Sequence, residues 1–186
     1  MRLFIAIDLD ETARAAIAAE QRGIVSSLRS SSLKIVRSEQ MHLTLVFLGE
    51  VAEPKAKELV EIVAQPIQQA PFDLAFGGVG VFPPRGAPRV LWLGAADGGR
   101  EAAVVQQELA RRAASLDIPL EGRPFHAHLT LGRWRESRTI DRERAMAGAA
   151  DHVVARVHVD HATLYHSRLS SAGPTYTPLA RATLTP

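Results

Sequence analysis

One tetrapeptide, His-Leu-Thr-Leu, occurs twice in this chain of 186 residues, at residues 42–45 and 128–131. Each copy lies in a run of β-forming residues that predicts a strand, over residues 41–48 and 125–132. Because side chains alternate between the two faces of a strand, His and Thr share one face and the leucines share the other. Each strand then has an apolar back that packs on a core and a polar front that faces water, a cleft or a partner.

The rest of the chain predicts many strands and a few helices. Helical spacing of apolar residues and start signals predict helices over residues 11–28, 54–69 and 100–115. Residues 138–150 are charged and rich in alanine, and are predicted as either a short helix or a surface loop. Many strands with few helices indicate an α+β architecture. With neither a linker nor a low-complexity segment, residues 1–186 are expected to form a single domain.

Composition limits the classes of function. Hydrophobic residues make up 46% of the chain, enough for a packed core. The absence of cysteine excludes disulfides, thiol nucleophiles and thiolate metal sites. A formal net charge of +2 is only mildly basic. No apolar run approaches the roughly 18 residues of a membrane span, and no signal peptide is evident, so we expect a cytoplasmic monomer.

The repeated residue types suit one kind of chemistry. Two His/Thr fronts that face each other would enclose two imidazoles and two hydroxyls. Histidine titrates near pH 6.5, so one ring can accept a proton while another donates one. The hydroxyls of Thr44 and Thr130 can donate to the non-bridging oxygens of a phosphate. We therefore expect His42 and His128 to open a cyclic phosphate as a general acid–base pair, with no metal or other cofactor required.

Further segments resemble the RNA 2',3'-cyclic phosphodiesterases, long called 2'-5' RNA ligases, the LigT-like members of the two-histidine (2H) phosphoesterase superfamily. The resemblance extends over nearly the whole chain, in residues 2–7, 41–49, 78–82, 88–92, 125–133, 164–169 and 173–176. It implies a bilobal fold in which two antiparallel β-sheets, related by pseudo-twofold symmetry, face a central cleft with helices on the outside. The HxTx motif of each lobe would line that cleft.

The resemblance also implies roles and a substrate. His42 would be the general acid and His128 the general base, with Thr44 and Thr130 binding phosphate. The substrate would be RNA ends that carry a 2',3'-cyclic phosphate, such as tRNA fragments, and the product a 2'-phosphate. Reversible 2'-5' ligation of RNA would be the same chemistry run backward, which indicates a role in RNA processing.

Arg133 matches a basic residue that this family often places after the second motif. Simple alternation assigns Arg133 to the leucine face, so either Gly132 introduces a bulge or Arg133 acts from the end of the strand. The family commonly has proline directly before the second histidine, where this chain has Ala127.

Four other residues are expected to contact substrate. His126 lies on the same predicted face as His128. Phe82 precedes a proline-rich loop, residues 83–88, and Arg85 lies within that loop. Ser167 lies in a segment that the resemblance places near the cleft.

Other hypotheses remain open from the sequence. A 2H phosphoesterase with this pattern could act on small cyclic nucleotides or on 2'-5' linkages. His42, His126 and His128 could instead hold a metal, although no acidic ligand is evident nearby. A non-catalytic RNA-binding module is the third alternative, and it predicts salt-dependent binding that survives loss of both histidines.

Overall fold

The computed structural model describes residues 1–28, 32–147, 152–171 and 173–186. Its strands are β1 (Arg2–Ile7), β2 (Leu33–Ile35), β3 (Leu43–Glu50), β4 (Ile67–Gln68), β5 (Phe72–Phe82), β6 (Val90–Asp97), β7 (His128–Trp134), β8 (Val153–Val159), β9 (His161–Ser170) and β10 (Gly173–Thr185). Its helices are α1 (Glu11–Leu28), α2 (Glu53–Val63), α3 (Gly99–Ala114) and α4 (Thr139–Ala147), with a short 3-10 helix over Ser38–Gln40. The α+β prediction is confirmed.

The strands form two groups that meet at the motif strands. One group runs in the order β4-β10-β9-β1-β3 and the other in the order β7-β6-β5-β8, with β2 paired to the end of β7. Neighbouring strands are antiparallel except for the parallel pair β4 and β10. Between β3 and β7 the register contains one pair, Leu43 with Leu129. The two lobes are therefore joined edge to edge at the centre of the repeat.

The element order shows the internal repeat. Apart from the short strand β2 and the 3-10 helix, the order β1–α1–β3–α2 of the first half recurs as β6–α3–β7–α4 in the second. The helices cross between the lobes, since α1 packs on β8 and α4, whereas α3 packs on β3 and α2. Each half thus covers part of the strand group of the other half, which ties the two lobes together.

Helix α1 follows the predicted pattern. Asp10 accepts a hydrogen bond from the backbone N–H of Ala13 at 2.7 Å, which caps the first turn. The side-chain amide of Gln21, buried in the same helix, donates to the carbonyl oxygens of Val36 and Leu131 at 2.8 and 2.7 Å. These bonds hold the motif strand β7 against α1.

Helix α2 ends earlier than predicted. The prediction extended it to residue 69, but it stops at Val63 and a short strand, β4, follows at Ile67. Pro66 cannot continue the helix. The buried guanidinium of Arg112 donates to the carbonyl oxygens of Ile62, Gln65 and Pro66 at 3.0, 2.6 and 2.7 Å. It takes up the carbonyls that a longer helix would have used.

The charged segment before β8 contains helix α4, the first of the two predicted alternatives. Residues 148–150 of that prediction lie outside the described residues. No helix in the described residues is both long and apolar enough to cross a membrane.

Candidate active site

The two motif copies meet around the pair Leu43–Leu129. His42 directly precedes β3 and His128 is the first residue of β7, so both stand where a strand begins. Continued by one residue on either side, this antiparallel register sets Thr44 across from His128 and His42 across from Thr130. The two copies are thus arranged symmetrically in sequence about this pair.

Burial separates the two faces as the sequence predicts. The leucines of both motifs, Leu43, Leu45, Leu129 and Leu131, are buried. The four motif histidines and threonines are half-buried instead. Neither threonine hydroxyl is hydrogen-bonded to another residue in the described parts of the chain. The polar fronts therefore offer two free hydroxyls next to two imidazoles.

A β-bulge in β7 moves Arg133 to the front. Trp92 of β6 pairs with Thr130, and the residue before it, Leu91, pairs with Gly132. Leu131 is therefore one extra residue on β7. After the bulge Gly132 and Trp134 are buried, whereas Arg133 is exposed. Of the two alternatives for Arg133, the bulge is therefore the one observed, and it moves Arg133 off the leucine face to which simple alternation would assign it. We call His42, Thr44, His128, Thr130 and Arg133 the motif site.

The glycine beside the bulge allows β2 to approach. A Cβ atom on Gly132 would lie 3.0 Å from Leu33 Cδ1 and 3.2 Å from the carbonyl oxygen of Lys34. Lys34 pairs with Arg133 in this register. A side chain at position 132 would therefore push away the short strand that supports the end of β7.

The charge of Arg133 acts on both halves of the motif site. Its guanidinium contributes to lowering the pKa of His42 and the pKa of His128, and it also lowers the pKa of the Tyr176 hydroxyl against the effect of burial. One side chain can influence all three groups only if they lie close together. Arg133 is thus near both imidazoles although it belongs to the second lobe.

Each motif histidine is oriented by backbone two residues earlier. His128 donates from Nδ1 to the carbonyl oxygen of His126 at 2.7 Å, since a carbonyl can only accept. In the neutral ring this bond leaves Nε2 unprotonated and able to accept a proton. His42 is hydrogen-bonded to the backbone of Gln40 in a way that favours its charged form. The repeat therefore preserves the support of the rings as well as their identity.

Aromatic side chains enclose the two imidazoles. The ring of His42 stacks on Phe4 at 4.8 Å and meets the edge of Tyr176 at 5.3 Å. The ring of His128 lies 5.1 Å from Phe82 and 6.1 Å from Trp92. Phe4 and Trp92 occupy corresponding strands of the two halves, β1 and β6.

Sequence reasoning missed part of this enclosure. Phe4 and Tyr176 fall within the segments that carry the family resemblance, but nothing in the local pattern links them to His42. The apolar strand that contains Trp92 predicts that this side chain is buried in the core. It is instead half-buried beside the motif site, and its Nε1–H, although buried, has no hydrogen-bond partner in the described residues.

Burial lowers the pKa of both histidines. The pKa of His42 falls to about 4, chiefly because its ring is shielded from water, with the negative charge of Asp8 partly opposing the shift. Asp8 itself accepts hydrogen bonds from Thr163 and Tyr165 at 2.8 and 2.7 Å. Burial also lowers the pKa of His128. Both rings are therefore neutral near pH 7 when the site holds no anion.

The predicted contact residues lie in different places. His126 is exposed, and its ring centroid lies 5.0 Å from Trp92 and 6.2 Å from His128. Phe82 is half-buried against His128, and Arg85 is exposed on its loop. Ser167 pairs with Tyr176, which places it on the face of the motif site, but it is buried. Of the four, Ser167 is the least accessible to a ligand.

No three side chains of His, Cys, Asp or Glu within the described ranges come together in a group that could hold a metal ion.

Comparisons with known proteins agree with this geometry. A sequence model of the 2'-5' RNA ligase superfamily matches residues 14–170. An RNA 2',3'-cyclic phosphodiesterase of Archaeoglobus fulgidus is 39% identical over 140 residues, which are 72% of each chain. One of Methanothermobacter thermautotrophicus is 32% identical over 179 residues, which are 95% of each chain.

A solved structure extends the similarity to the whole fold. The crystal structure of E. coli LigT complexed with 3'-AMP is similar with a TM-score of 0.76 and 30% identity, over 100% of this chain and 98% of that one. The extent of these matches shows that this chain belongs to the 2'-5' RNA ligase superfamily.

Proposed function

We propose that this protein hydrolyses 2',3'-cyclic phosphates at RNA ends to 2'-phosphates by metal-independent acid–base catalysis. The observation that carries the proposal is the meeting of two His-x-Thr fronts around Leu43 and Leu129, with both threonine hydroxyls free among the described residues. The names of the curated relatives, RNA 2',3'-cyclic phosphodiesterases, support the same substrate.

In the proposed reaction the cyclic phosphate lies between the two fronts. Thr44, Thr130 and Arg133 donate hydrogen bonds to its non-bridging oxygens, where negative charge increases in the transition state. Because these donors are positioned before substrate arrives, little reorganisation is needed during the reaction.

The proton transfers follow from the ring orientation. Nε2 of His128, left free by the Nδ1 bond to the His126 carbonyl, takes a proton from water as the water oxygen attacks phosphorus. The bond from phosphorus to O3' breaks in line with the attack, and His42 gives its proton to O3'. The product carries the phosphate on O2'. If a ribose 5'-hydroxyl attacks in place of water, the hydroxyl loses its proton to His128, the P–O3' bond breaks in the same way, and the product is a 2'-5' linkage.

The role of His42 as the acid requires an anion in the site. With a pKa of about 4, His42 is almost entirely neutral at pH 7 in the free protein. A phosphodiester bound next to the ring adds a negative charge, which raises the pKa of the imidazole. Substrate binding would therefore supply the proton that the leaving oxygen needs. If so, the pH profile of kcat, which reports the complex, extends to higher pH on its alkaline side than that of kcat/KM, which reports the free protein.

The experiment that tests the proposal offers the protein three substrates in excess EDTA: an oligonucleotide with a 2',3'-cyclic phosphate end, a cytidine 2',3'-cyclic phosphate, and a 2'-5'-linked dinucleotide. The proposal expects conversion of the first to a 2'-phosphate end, with the phosphate position assigned by phosphorus NMR. Hydrolysis of only the second or third would favour the small-molecule or 2'-5' alternatives. Binding of RNA without any turnover would favour the binding module, and loss of turnover in EDTA would favour a metal site.

We further propose that residues 1–186 act as one bilobal unit, as a monomer in the cytoplasm, with tRNA fragments among the substrates. The two helices that cross between the lobes support the single unit.

A further inference from the structure

An arginine-lined cavity lies beyond the end of β7, outside the motif site. Its volume is about 490 Å³, and Arg85, Arg89 and Arg135 contribute to its wall together with Trp134. None of the three guanidinium groups forms an ion pair or a hydrogen bond with another residue that the structure describes. The cavity therefore concentrates three positive charges without a described acidic partner, which is a surface suited to an anion.

The cavity wall is held in place from behind. The guanidinium of Arg142, in α4, donates to the carbonyl oxygens of Pro83, Pro84 and Gly86 at 2.6, 2.9 and 2.9 Å. The hydroxyl of Ser137 donates to the carbonyl oxygen of Pro88. Both ends of the loop that carries Arg85 are thus fixed, so Arg85 extends from an ordered backbone.

The wall of the cavity also includes Trp134, which has a buried hydrogen-bond donor. Trp134 is buried to 7% exposure, and its Nε1–H has no hydrogen-bond partner in the described residues. A buried N–H without a partner costs free energy. Because this nitrogen is closed off from water, it does not reach an anion in the cavity, and only the three arginines make the cavity suited to an anion.

The cavity continues the motif site along the same strand. Arg133 and Arg135 are exposed on either side of the buried Trp134, which ends β7, so Arg135 continues just past the strand the front on which Thr130 and Arg133 lie. At about 3.3 Å per residue, Arg135 lies roughly 15 Å along the strand from Thr130. At the end of β5, on the far side of β6 from β7, Phe82 contacts His128, and the next residue, Pro83, lines the cavity.

We propose that this cavity binds a backbone phosphate of the RNA chain on the 5' side of the cyclic end. The inference rests on the proposed function. A 2',3'-cyclic phosphate occupies the 3' end of an RNA, so every other nucleotide of the substrate extends in the 5' direction from the motif site. One guanidinium group can donate two hydrogen bonds to the oxygens of a phosphate. Proteins that bind single-stranded nucleic acids use positively charged grooves to follow the backbone. The cavity makes the protein prefer oligonucleotides to cyclic mononucleotides.

The test compares one double variant with a control of equal charge. Arg85→Ala/Arg135→Ala removes two cavity charges, whereas Arg22→Ala/Arg100→Ala removes two exposed arginines from α1 and α3. The substrates are a hexanucleotide with a 2',3'-cyclic end and cytidine 2',3'-cyclic phosphate, and inorganic phosphate binding is followed separately by calorimetry.

The proposal expects KM for the hexanucleotide to rise about tenfold or more in the cavity variant, with kcat unchanged. Activity on the mononucleotide should stay within twofold of wild type, and the control should match wild type on both substrates. The slope of log KM for the hexanucleotide against log salt concentration should decrease by about 0.7 for each phosphate contact that is lost.

Equal effects on the two substrates, or no effect on either, would overturn the inference. So would loss of inorganic phosphate binding with an unchanged hexanucleotide KM, because the cavity would then serve a free anion. If wild type hydrolyses neither substrate, the proposed function fails, which is a different outcome from failure of the cavity.

Discussion

The two lobes carry the same motif in unlike surroundings. His42 follows a short 3-10 helix and lies among Phe4 and Tyr176, with Asp8 close enough to affect its charge. His128 begins its strand next to the exposed His126 and near Arg133, which its own strand supplies. The repeat thus places one enclosed imidazole with a carboxylate near it opposite one more open imidazole beside a second histidine, and the guanidinium of Arg133 acts on both.

This difference shows how duplicated residues can acquire different roles. Two identical histidines in identical surroundings would titrate alike, and neither would be set as acid or base. Enclosure and the carboxylate make the protonation of His42 depend strongly on what binds beside it, since water cannot screen a charge there. His128 is positioned with a free Nε2 that accepts a proton without any such change. Acid and base are thus separated by environment rather than by residue type.

The largest expected effect separates the two roles by changing the leaving group. On the natural substrate His42→Ala and His128→Ala should each lower kcat by roughly 10²–10⁴, about 3–5 kcal/mol of barrier. In a cyclic substrate with sulfur in place of O3', the thiolate leaves without a proton, so His42→Ala should recover to within about tenfold of wild type. His128→Ala should remain impaired, because water must still lose its proton. The measurement is single-turnover hydrolysis of both substrates, and recovery of His128→Ala instead would reverse the assignment.

The second prediction compares the two histidines by their contributions to the pH dependence of the free energy of unfolding. The pKa of His42 is about 4 in the folded protein and about 6.5 when unfolded, so the unfolded chain binds more protons between these values. Stability is therefore lost as pH falls from 6.5 toward 4, by up to about 3 kcal/mol from this group alone.

Urea unfolding of wild type and of His42→Gln at pH 7 and pH 4 measures this difference. From pH 7 to pH 4 the free energy of unfolding of His42→Gln should fall by about 3 kcal/mol less than that of wild type. For His128→Gln, at the more open site, the difference from wild type should be smaller. Identical acid sensitivity in wild type and His42→Gln would mean that His42 is not shielded from water.

A third change disturbs only the aromatic support of the second lobe. A Cβ atom on Gly80 would lie 2.1 Å from Cζ2 of Trp92, so Gly80→Ala must displace the indole that lies beside His126 and His128. Overpacking of this kind costs about 1–3 kcal/mol of stability, and we expect activity to fall by roughly tenfold, as for a small misplacement of catalytic groups. The control is Gly23→Ala, where the new methyl group meets nothing within 4 Å. Wild-type activity in a folded Gly80→Ala protein would show that Trp92 does not position the second motif.

The smallest change concerns the pH profile. Electrostatic repulsion from His126 contributes to lowering the pKa of His128. His126→Ala should therefore raise the pKa of the base and move the acid limb of kcat/KM to higher pH, with little change at the optimum. His158→Ala, at an exposed histidine on β8, is the matched control. A limb that does not move would show that His126 lies too far from His128, in solution, to influence it.

The sequence alone predicts the elements that depend on local pattern. Helix α1 begins and ends where the cap at Asp10 and its apolar spacing predict. Both motif strands form, but they begin later than predicted, at Leu43 and at His128. The end of α2 combines a local signal that the prediction overlooked, Pro66, with a distant one, since Arg112 takes the carbonyls of residues 62, 65 and 66. The predicted helix was therefore too long.

The active site, too, has features that the local sequence pattern predicts and features that depend on residues far apart in the chain. Period-two alternation predicts the shared face of His128 and Thr130, but it cannot predict the bulge at Leu131 that brings Arg133 to that face. The bulge is defined by the pairing of β7 with β6, a strand from another part of the chain. Phe4 and Tyr176 come to His42 from strands β1 and β10, so only the assembled sheet reveals them. Both predicted motif copies meet, whereas the side chains that distinguish the copies come from elsewhere in the fold.

The most direct test of the account measures hydrolysis of an oligonucleotide with a 2',3'-cyclic end, in excess EDTA, by wild type, His42→Ala, His128→Ala and the double variant. If the two motifs act as one acid–base pair, each single variant loses roughly 10²–10⁴ in kcat and the double variant loses little more than the worse single one. Turnover that survives in both single variants would place the active site elsewhere. A double variant whose loss equals the product of the two single losses would show that the histidines act independently.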